Sequence, residues 1–201
     1  MPNNKRVAII GGGPAGLMAA EVLSRSGMAA QIHIDLFEAM PSLARKFLLA
    51  GKGGMNITHS EPAATFRTRY GTRQERIAPL LDGFGPEALC EWIHGLGIDT
   101  FVGSSGRVFP AGMKAAPLLR TWLHRLRESG VLIHVRHRWC AIEQQADGIH
   151  SLCFDTAKGE QRCTADVVVL ALGGGSWAKL GSDGRWAVSY THLRAHETDS
   201  Y

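Results

Sequence analysis

The stretch that decides the fold is RVAIIGGGPAG, which spans residues 6–16. Its first half, residues 7–10, is a continuous apolar run that is typical of a strand buried on both faces. Its second half fits the pattern G-x-G-x-x-G where the strand must turn into a helix. Gly11 permits the tight turn, Gly13 lets the backbone approach a pyrophosphate, and Gly16 lets the helix pack against the strand.

A second strand, predicted over residues 31–37, adds an acid to this loop. It ends at Glu38, 22 residues after Gly16, which agrees with the spacing of about 20 expected for an acid that binds a ribose hydroxyl. An acid disfavours NADP here, whereas NAD and FAD both fit. The alternative is a purely structural glycine turn. The predicted dinucleotide-binding residues are Gly11, Gly13, Pro14, Ala15, Gly16 and Glu38.

A second glycine-rich segment follows at residues 44–59, ARKFLLAGKGGMNITH. It places three basic residues beside a glycine cluster, just after the predicted ribose-binding acid. This combination favours a cofactor that extends beyond the pyrophosphate, and the alternative is a solvated basic loop. The candidate residues in this segment are Arg45, Lys46, Gly51, Gly53, Gly54 and Asn56.

Four motifs together resemble a group of bacterial NAD(P)/FAD-dependent oxidoreductases, loosely described as aminoacetone-oxidase-like flavoproteins. The motifs are GGGPAG at 11–16, RKFLLAGKGGMNITHSE at 45–61, GRVFP at 106–110 and ALGGGSW at 171–177. The resemblance covers residues 5 to about 186. It implies an α/β fold with a Rossmann-like FAD-binding domain of glutathione-reductase type, in which a parallel sheet is combined with an antiparallel meander.

The order of predicted elements agrees with that fold. Helices are expected at 86–94 and 114–129, parallel strands at 131–135 and 166–172, and a meander at 138–145, 149–155 and 160–165. The glycine run after the last strand should face the same crevice as the first loop, because ligands bind at the carboxyl ends of such strands. This adds Ala171, Gly173 and Gly174 as candidates. The resemblance places an adenine contact at Trp139, and packing between meander and sheet is equally compatible.

The expected domain layout is an incomplete FAD-binding domain over 1–186, with an inserted α-rich segment at about 60–112. Residues 187–201 show neither strand alternation nor an apolar stripe, and the resemblance stops before them. We therefore expect a foreign tail on a truncated chain. The full-length protein is expected to be the enzyme, and this fragment to be inactive.

Composition sets limits on partners and location. Hydrophobic residues make up 45% and charged residues 20%, and the net charge is +4, as in ordinary globular domains. No apolar run approaches the roughly 18 residues needed to span a bilayer, and no signal-peptide pattern is present. The four cysteines form no C-x-x-C pair, so no metal site is expected. These features predict a cytoplasmic protein with a small-molecule substrate and no nucleic-acid or membrane partner.

The predicted function is therefore an FAD-dependent oxidoreductase of unknown substrate, with NAD(P)H as a candidate electron donor. Arg107 and Lys114 are candidates for holding an anionic substrate or stabilising reduced flavin, unless they are ordinary solvent-facing charges. One alternative is a non-catalytic regulatory module for NAD or an adenine nucleotide, which would not need the segment 44–59. Another is an FAD-dependent tRNA-modifying enzyme, which the weak positive charge disfavours.

Overall fold

The computed structural model describes residues 4–175, 177–181, 184 and 186. The expected foreign tail, 187–201, lies outside them. The strands are β1 (Lys5–Ile10), β2 (Ile32–Glu38), β3 (Thr58–His59), β4 (Thr100–Val102), β5 (Arg107–Pro110), β6 (Leu132–Val135), β7 (Arg138–Gln144), β8 (His150–Thr156), β9 (Gly159–Ala165) and β10 (Val167–Leu170). The α-helices are α1 (Pro14–Ser24), α2 (Arg45–Ala50), α3 (Ala63–Thr68), α4 (Gln74–Gly83), α5 (Pro86–His94) and α6 (Ala115–Glu128).

The chain divides into two compact units. The first unit consists of Met1–Lys46 and Arg125–Tyr201, and the second is Phe47–His124. The inserted segment was expected at about 60–112, so the second unit begins earlier and ends later than the expected insertion.

The first unit contains a parallel sheet with β1 at its centre. The described strands lie in the order β10-β1-β2-β6, and all three pairings are parallel. In the register, Val7 lies between Val167 and Ile34. Residues 7–10 are all buried, as the apolar run predicts for a strand with a neighbour on each side and other elements on both faces.

An antiparallel meander, β7-β8-β9, accompanies this sheet. Its two turns have glycines with positive φ, Gly148 at 81° and Gly159 at 98°, as tight hairpin turns require. Phe37 of the sheet stacks on Phe154 of the meander, with ring centroids 4.3 Å apart. The core cluster around this pair consists of Ala8, Ile10, Phe37, Leu152, Phe154 and Ala165. The predicted α/β fold, a parallel sheet with a meander, is confirmed.

A buried ion pair joins helix α1 to the end of α6 within the first unit. Glu21 is 4% exposed, and its Oε1 lies 2.6 Å from Nη2 of Arg125. Helix α6 ends at Glu128, and Gly130 two residues later has φ 82°. There Gly130 N donates to Arg127 O at 3.0 Å and Val131 N donates to Leu126 O at 3.1 Å. This is the hydrogen-bond pattern of a Schellman cap.

The second unit contains an antiparallel sheet in the order β3-β5-β4, together with several helices. The apolar face of α6 provides part of its core, where Trp122 packs edge-on against Trp92 of α5 at a centroid distance of 4.7 Å. Across the described residues of both units, no helix has the length and apolarity needed to cross a membrane.

Candidate functional site

The glycine loop at residues 11–16 lies over the carboxyl ends of β1, β2 and β10. Gly11 N donates to Phe37 O, and Ala171 N donates to Ile10 O, both at 2.8 Å. Gly11 has φ 114°, and a Cβ on it would lie 2.3 Å from Ala171 O. A Cβ on Gly16 would lie 1.9 Å from Gly11 O. Both positions therefore require glycine for the close approach of backbone to backbone.

Gly13 differs from these two glycines because nothing in the described protein restricts it. Its φ is −81°, which any residue adopts, and a Cβ on it would have no neighbour within 4 Å. Gly13 is the N-cap of α1 and provides no side-chain cap. Pro14 follows at the first helical position. The open space beside the first turn of an 11-residue helix suits a phosphate, because unpaired N–H groups point towards it.

A cavity of about 150 Å³ lies beside this loop, within the first unit. Because whole-ligand pockets are about 300–1,000 Å³, it has room for one part of a dinucleotide. Eight predicted cofactor-binding residues line it, and five further residues complete its described lining. The eight are Gly13, Pro14, Ala15, Glu38, Arg45, Lys46, Ala171 and Gly173, and the five are Ser42, Ala44, Leu172, Leu180 and Gly181.

The carboxylate of Glu38 is fixed by two backbone donors. Gly12 N donates to Oε2 at 2.9 Å, and Met40 N donates to Oε1 at 2.8 Å. Each carboxylate oxygen has a further lone pair that can accept a bond from a hydroxyl group. A Cβ on Gly12 would lie 3.0 Å from Oε2 and 2.2 Å from Cδ2 of Leu43. A larger residue at this position would therefore displace the side chain of Leu43 or Glu38, although the motif treats the position as variable.

Two cations reach the cavity from the start of α2. Arg45 and Lys46 both line the cavity, and Ala44 before them donates its N–H to Gly12 O at 2.8 Å. The Nε atom of Arg45 is buried and has no hydrogen-bond partner among the described residues. Because Arg45 and Lys46 place two positive charges at the cavity wall, they favour an anionic ligand there.

The remaining candidates of the second glycine-rich segment belong to the second unit. A Cβ on Gly51 would lie 2.5 Å from Cβ of Ala115, so Gly51 serves packing within that unit. Gly54 has φ 122° and lies against Met113. Gly53 and Asn56 are exposed. Contacts of Gly51, Gly53, Gly54 and Asn56 with a cofactor stay predictions.

Three side chains predicted for function have other surroundings. Trp139 packs against the core between sheet and meander, and its Nε1 donates to Ala141 O at 2.8 Å. It is not part of the cavity lining described above, so packing accounts for it and the adenine contact stays a prediction. Arg107 and Lys114 are exposed in the second unit. Gly174 is exposed beside the lining residue Gly173.

Sequence reasoning missed several residues in and beside the cavity. Gly12, which donates to Glu38 but does not line the cavity, had a signal, because a third glycine stands between two that the motif requires. Gly181, with φ 92° and a hypothetical Cβ only 2.6 Å from Cγ of Met40, lies outside the four motifs that the sequence analysis used. Ala44 gave no signal. Among the described residues, no group of three or more His, Cys, Asp or Glu is placed to hold a metal ion.

The family described as HI0933-like protein Rossmann domain matches residues 5–197. This chain belongs to the HI0933-like family. The HI0933-like chain is also 33% identical over 179 residues to the 3-dehydro-bile acid delta(4,6)-reductase of Clostridium scindens. The aligned region covers 89% of this chain and 41% of that protein. The chain thus spans less than half the length of this curated relative.

Solved structures agree with the fold of the HI0933-like chain. The 3-ketosteroid-delta4-(5alpha)-dehydrogenase of Rhodococcus jostii RHA1 has a TM-score of 0.61 at 16% identity, covering 85% of the chain and 46% of that structure. The THI4 protein of Thermovibrio ammonificans has a TM-score of 0.53 at 19% identity, covering 84% and 57%. At such low identity these likenesses establish the architecture alone.

Proposed function

We propose that this chain binds FAD and forms the cofactor-binding part of an oxidoreductase that acts on a small-molecule substrate. The observation on which this rests is a cavity lining that brings the cations Arg45 and Lys46 together with Gly13 and the fixed carboxylate of Glu38. A cation, an open backbone approach and a hydroxyl acceptor are the three groups that an adenosine diphosphate moiety needs. The reductase name of the Clostridium scindens relative supports redox chemistry.

Four residues of the cavity would have defined parts in holding the cofactor. Gly13 and the first turn of α1 would bind the pyrophosphate, because their N–H groups donate hydrogen bonds to anionic oxygens. Glu38 would accept hydrogen bonds from the ribose, and Arg45 with Lys46 would neutralise phosphate charge. FAD, when bound, supplies the two-electron redox chemistry, and the protein binds and orients it. Arg107 and Lys114 of the second unit stay candidates for holding an anionic substrate.

The choice of FAD over its rivals rests on two features. A carboxylate at the ribose position repels a 2′-phosphate, which disfavours NADP as the ligand of this cavity. The basic start of α2, which contributes Arg45 to the cavity, favours FAD over a plain NAD or adenine-nucleotide regulatory module. NAD(P)H as electron donor, the aminoacetone-oxidase-like character and the cytoplasmic location stay predictions.

The test uses a matched pair of glycine variants. Protein purified without added cofactor should show flavin absorbance and release FAD on denaturation. Gly13→Ala should fold normally, because a methyl group there meets no protein atom, but it should weaken FAD binding at least about tenfold, equivalent to roughly 1.4 kcal/mol. Gly27→Ala is the control, since a Cβ on Gly27 also has open space and Gly27 lies after α1.

Two results would contradict the proposal. One is a colourless protein that binds NAD but not FAD. The other is a folded Gly13→Ala variant that binds FAD as tightly as the wild type, because a methyl group cannot share the space of a bound pyrophosphate. Circular dichroism of both variants separates loss of binding from loss of fold.

A further inference from the structure

Ala44 has a backbone conformation that normally belongs to glycine. Its φ is 52°, in the left-handed region where a Cβ is crowded. It is 3% exposed. Its methyl side chain has no polar atom that could stabilise the left-handed backbone by a local hydrogen bond. The other non-glycine residues with positive φ in the described chain are Met113 and Arg136, and neither belongs to the cavity lining. Strained residues persist where their surroundings enforce them, and they cluster at ligand sites.

The surroundings that enforce this conformation are the glycine loop and the residue before Ala44. Ala44 N donates to Gly12 O at 2.8 Å. Leu43, which is 6% exposed, places its Cδ2 where a Cβ on Gly12 would lie. Gly12 N in turn donates to Glu38 at 2.9 Å. The loop, the acid and residues 43–44 therefore form one connected set of contacts.

The strained turn decides where the chain goes next. Helix α2 begins at Arg45, directly after Ala44, and both Arg45 and Lys46 line the cavity. A right-handed or extended backbone at residue 44 would redirect the chain that follows and move both cations. We propose that Ala44 is a positioning residue, whose left-handed backbone brings Arg45 and Lys46 to the diphosphate of the bound cofactor. This inference rests on the proposed function.

The experiment compares substitutions that keep or oppose the left-handed backbone. Ala44→Gly keeps it without strain, whereas the β-branched Ala44→Val opposes it. Affinities are measured for FAD and for ADP, which has the diphosphate but no flavin. Ala44→Gly should bind both within about twofold of the wild type, and Ala44→Val should bind both at least about tenfold more weakly.

A double-mutant cycle separates positioning from general structure. In a chain that already has Arg45→Gln and Lys46→Gln, adding Ala44→Val should change ADP affinity by less than about twofold, because the cations it acts through are gone. An equal loss in both backgrounds would overturn the inference, and so would unchanged affinity of Ala44→Val in the wild-type background.

A second pair covers the case in which Ala44→Val does not fold. Leu43→Ala removes the side chain that holds the strained turn in place, so it should weaken ADP binding. Adding Ala44→Gly should restore affinity, because glycine needs no enforcement to stay left-handed. Failure of this rescue would overturn the inference. A wild-type protein that binds neither FAD nor ADP would instead refute the proposed function.

Discussion

Replacing Glu38 with alanine should reduce both the stability of the protein and its affinity for FAD, by separate mechanisms. The carboxylate holds two backbone N–H groups, those of Gly12 and Met40, at 2.9 and 2.8 Å. Without it, the glycine loop and the end of β2 lose the Glu38 bond and keep only the backbone bond from Gly11 N to Phe37 O. The same side chain is proposed to accept bonds from the ribose, so its removal also deletes a ligand contact.

The two effects have different sizes. A hydrogen bond to a charged group contributes about 1.5–3 kcal/mol. Because the carboxylate is only partly buried, water can reach the freed amides, and we expect a stability loss of about 3 kcal/mol for the two bonds together. For a chain of this length that lowers the thermal midpoint by about 6–12 °C. Loss of one charged bond to the ribose should weaken FAD binding by about ten- to a hundredfold.

The assay measures both quantities on the same preparations. Thermal unfolding of the cofactor-free protein gives the first effect, and FAD titration well below the unfolding midpoint gives the second. Glu143→Ala is the control, because its carboxylate is 67% exposed and should change stability by less than about 0.5 kcal/mol. A Glu38→Ala protein that is destabilised but binds FAD normally would refute the ribose contact, and one with unchanged stability would refute the structural link.

Two further predictions concern ion pairs within the first unit. Glu21→Ala leaves the charge of Arg125 buried and should cost about 3–5 kcal/mol in urea unfolding, whereas Arg25→Ala, whose side chain is 57% exposed, should cost less than about 1 kcal/mol; equal costs would contradict the burial argument. Burial raises the pKa of Asp35, but the hydrogen bond and charge of His134, together with the charges of His33 and Arg6, outweigh it and hold that pKa below its ordinary value. A lowered pKa stabilises the folded protein above about pH 4, and this stabilisation is lost as the pH falls through the folded-state pKa. Asp35→Asn should therefore lower the free energy of unfolding by about 1 kcal/mol at pH 7, and this difference from the wild type should vanish towards pH 2.

The sequence was sufficient to predict the parallel sheet because its signals are local and strong. Residues 7–10 form an uninterrupted apolar run, and the glycine loop follows at once. The meander was predictable for the same reason, since Gly148 and Gly159 mark both of its turns. The antiparallel pairing of the meander followed from the rules that govern hairpins, whereas the order of the parallel strands was not predicted.

The boundaries of the second unit could not be predicted, and the physical reason is visible in the structure. The divisions between Lys46 and Phe47 and between His124 and Arg125 fall inside helices α2 and α6. Sequence reasoning finds boundaries at glycine, proline or changes of composition, and a continuous helix offers none of these. Ala44 escaped prediction similarly, because alanine is not among the residues that signal a turn, and its strain comes from tertiary contacts.

The glycines of the first motif distinguish a ligand-binding loop from a structural turn. Close backbone contacts account for Gly11 and Gly16, because each would bring a Cβ to 2.3 Å or less from a backbone oxygen, and side chains crowd Gly12. A purely structural turn would need glycine at positions 11 and 16. Gly13 has an ordinary φ and open space around it, so the folded chain gives no reason for glycine there. A diphosphate bound in the space beside Gly13, which Glu38 and Arg45 border, would explain the glycine, because a side chain at residue 13 would occupy that space.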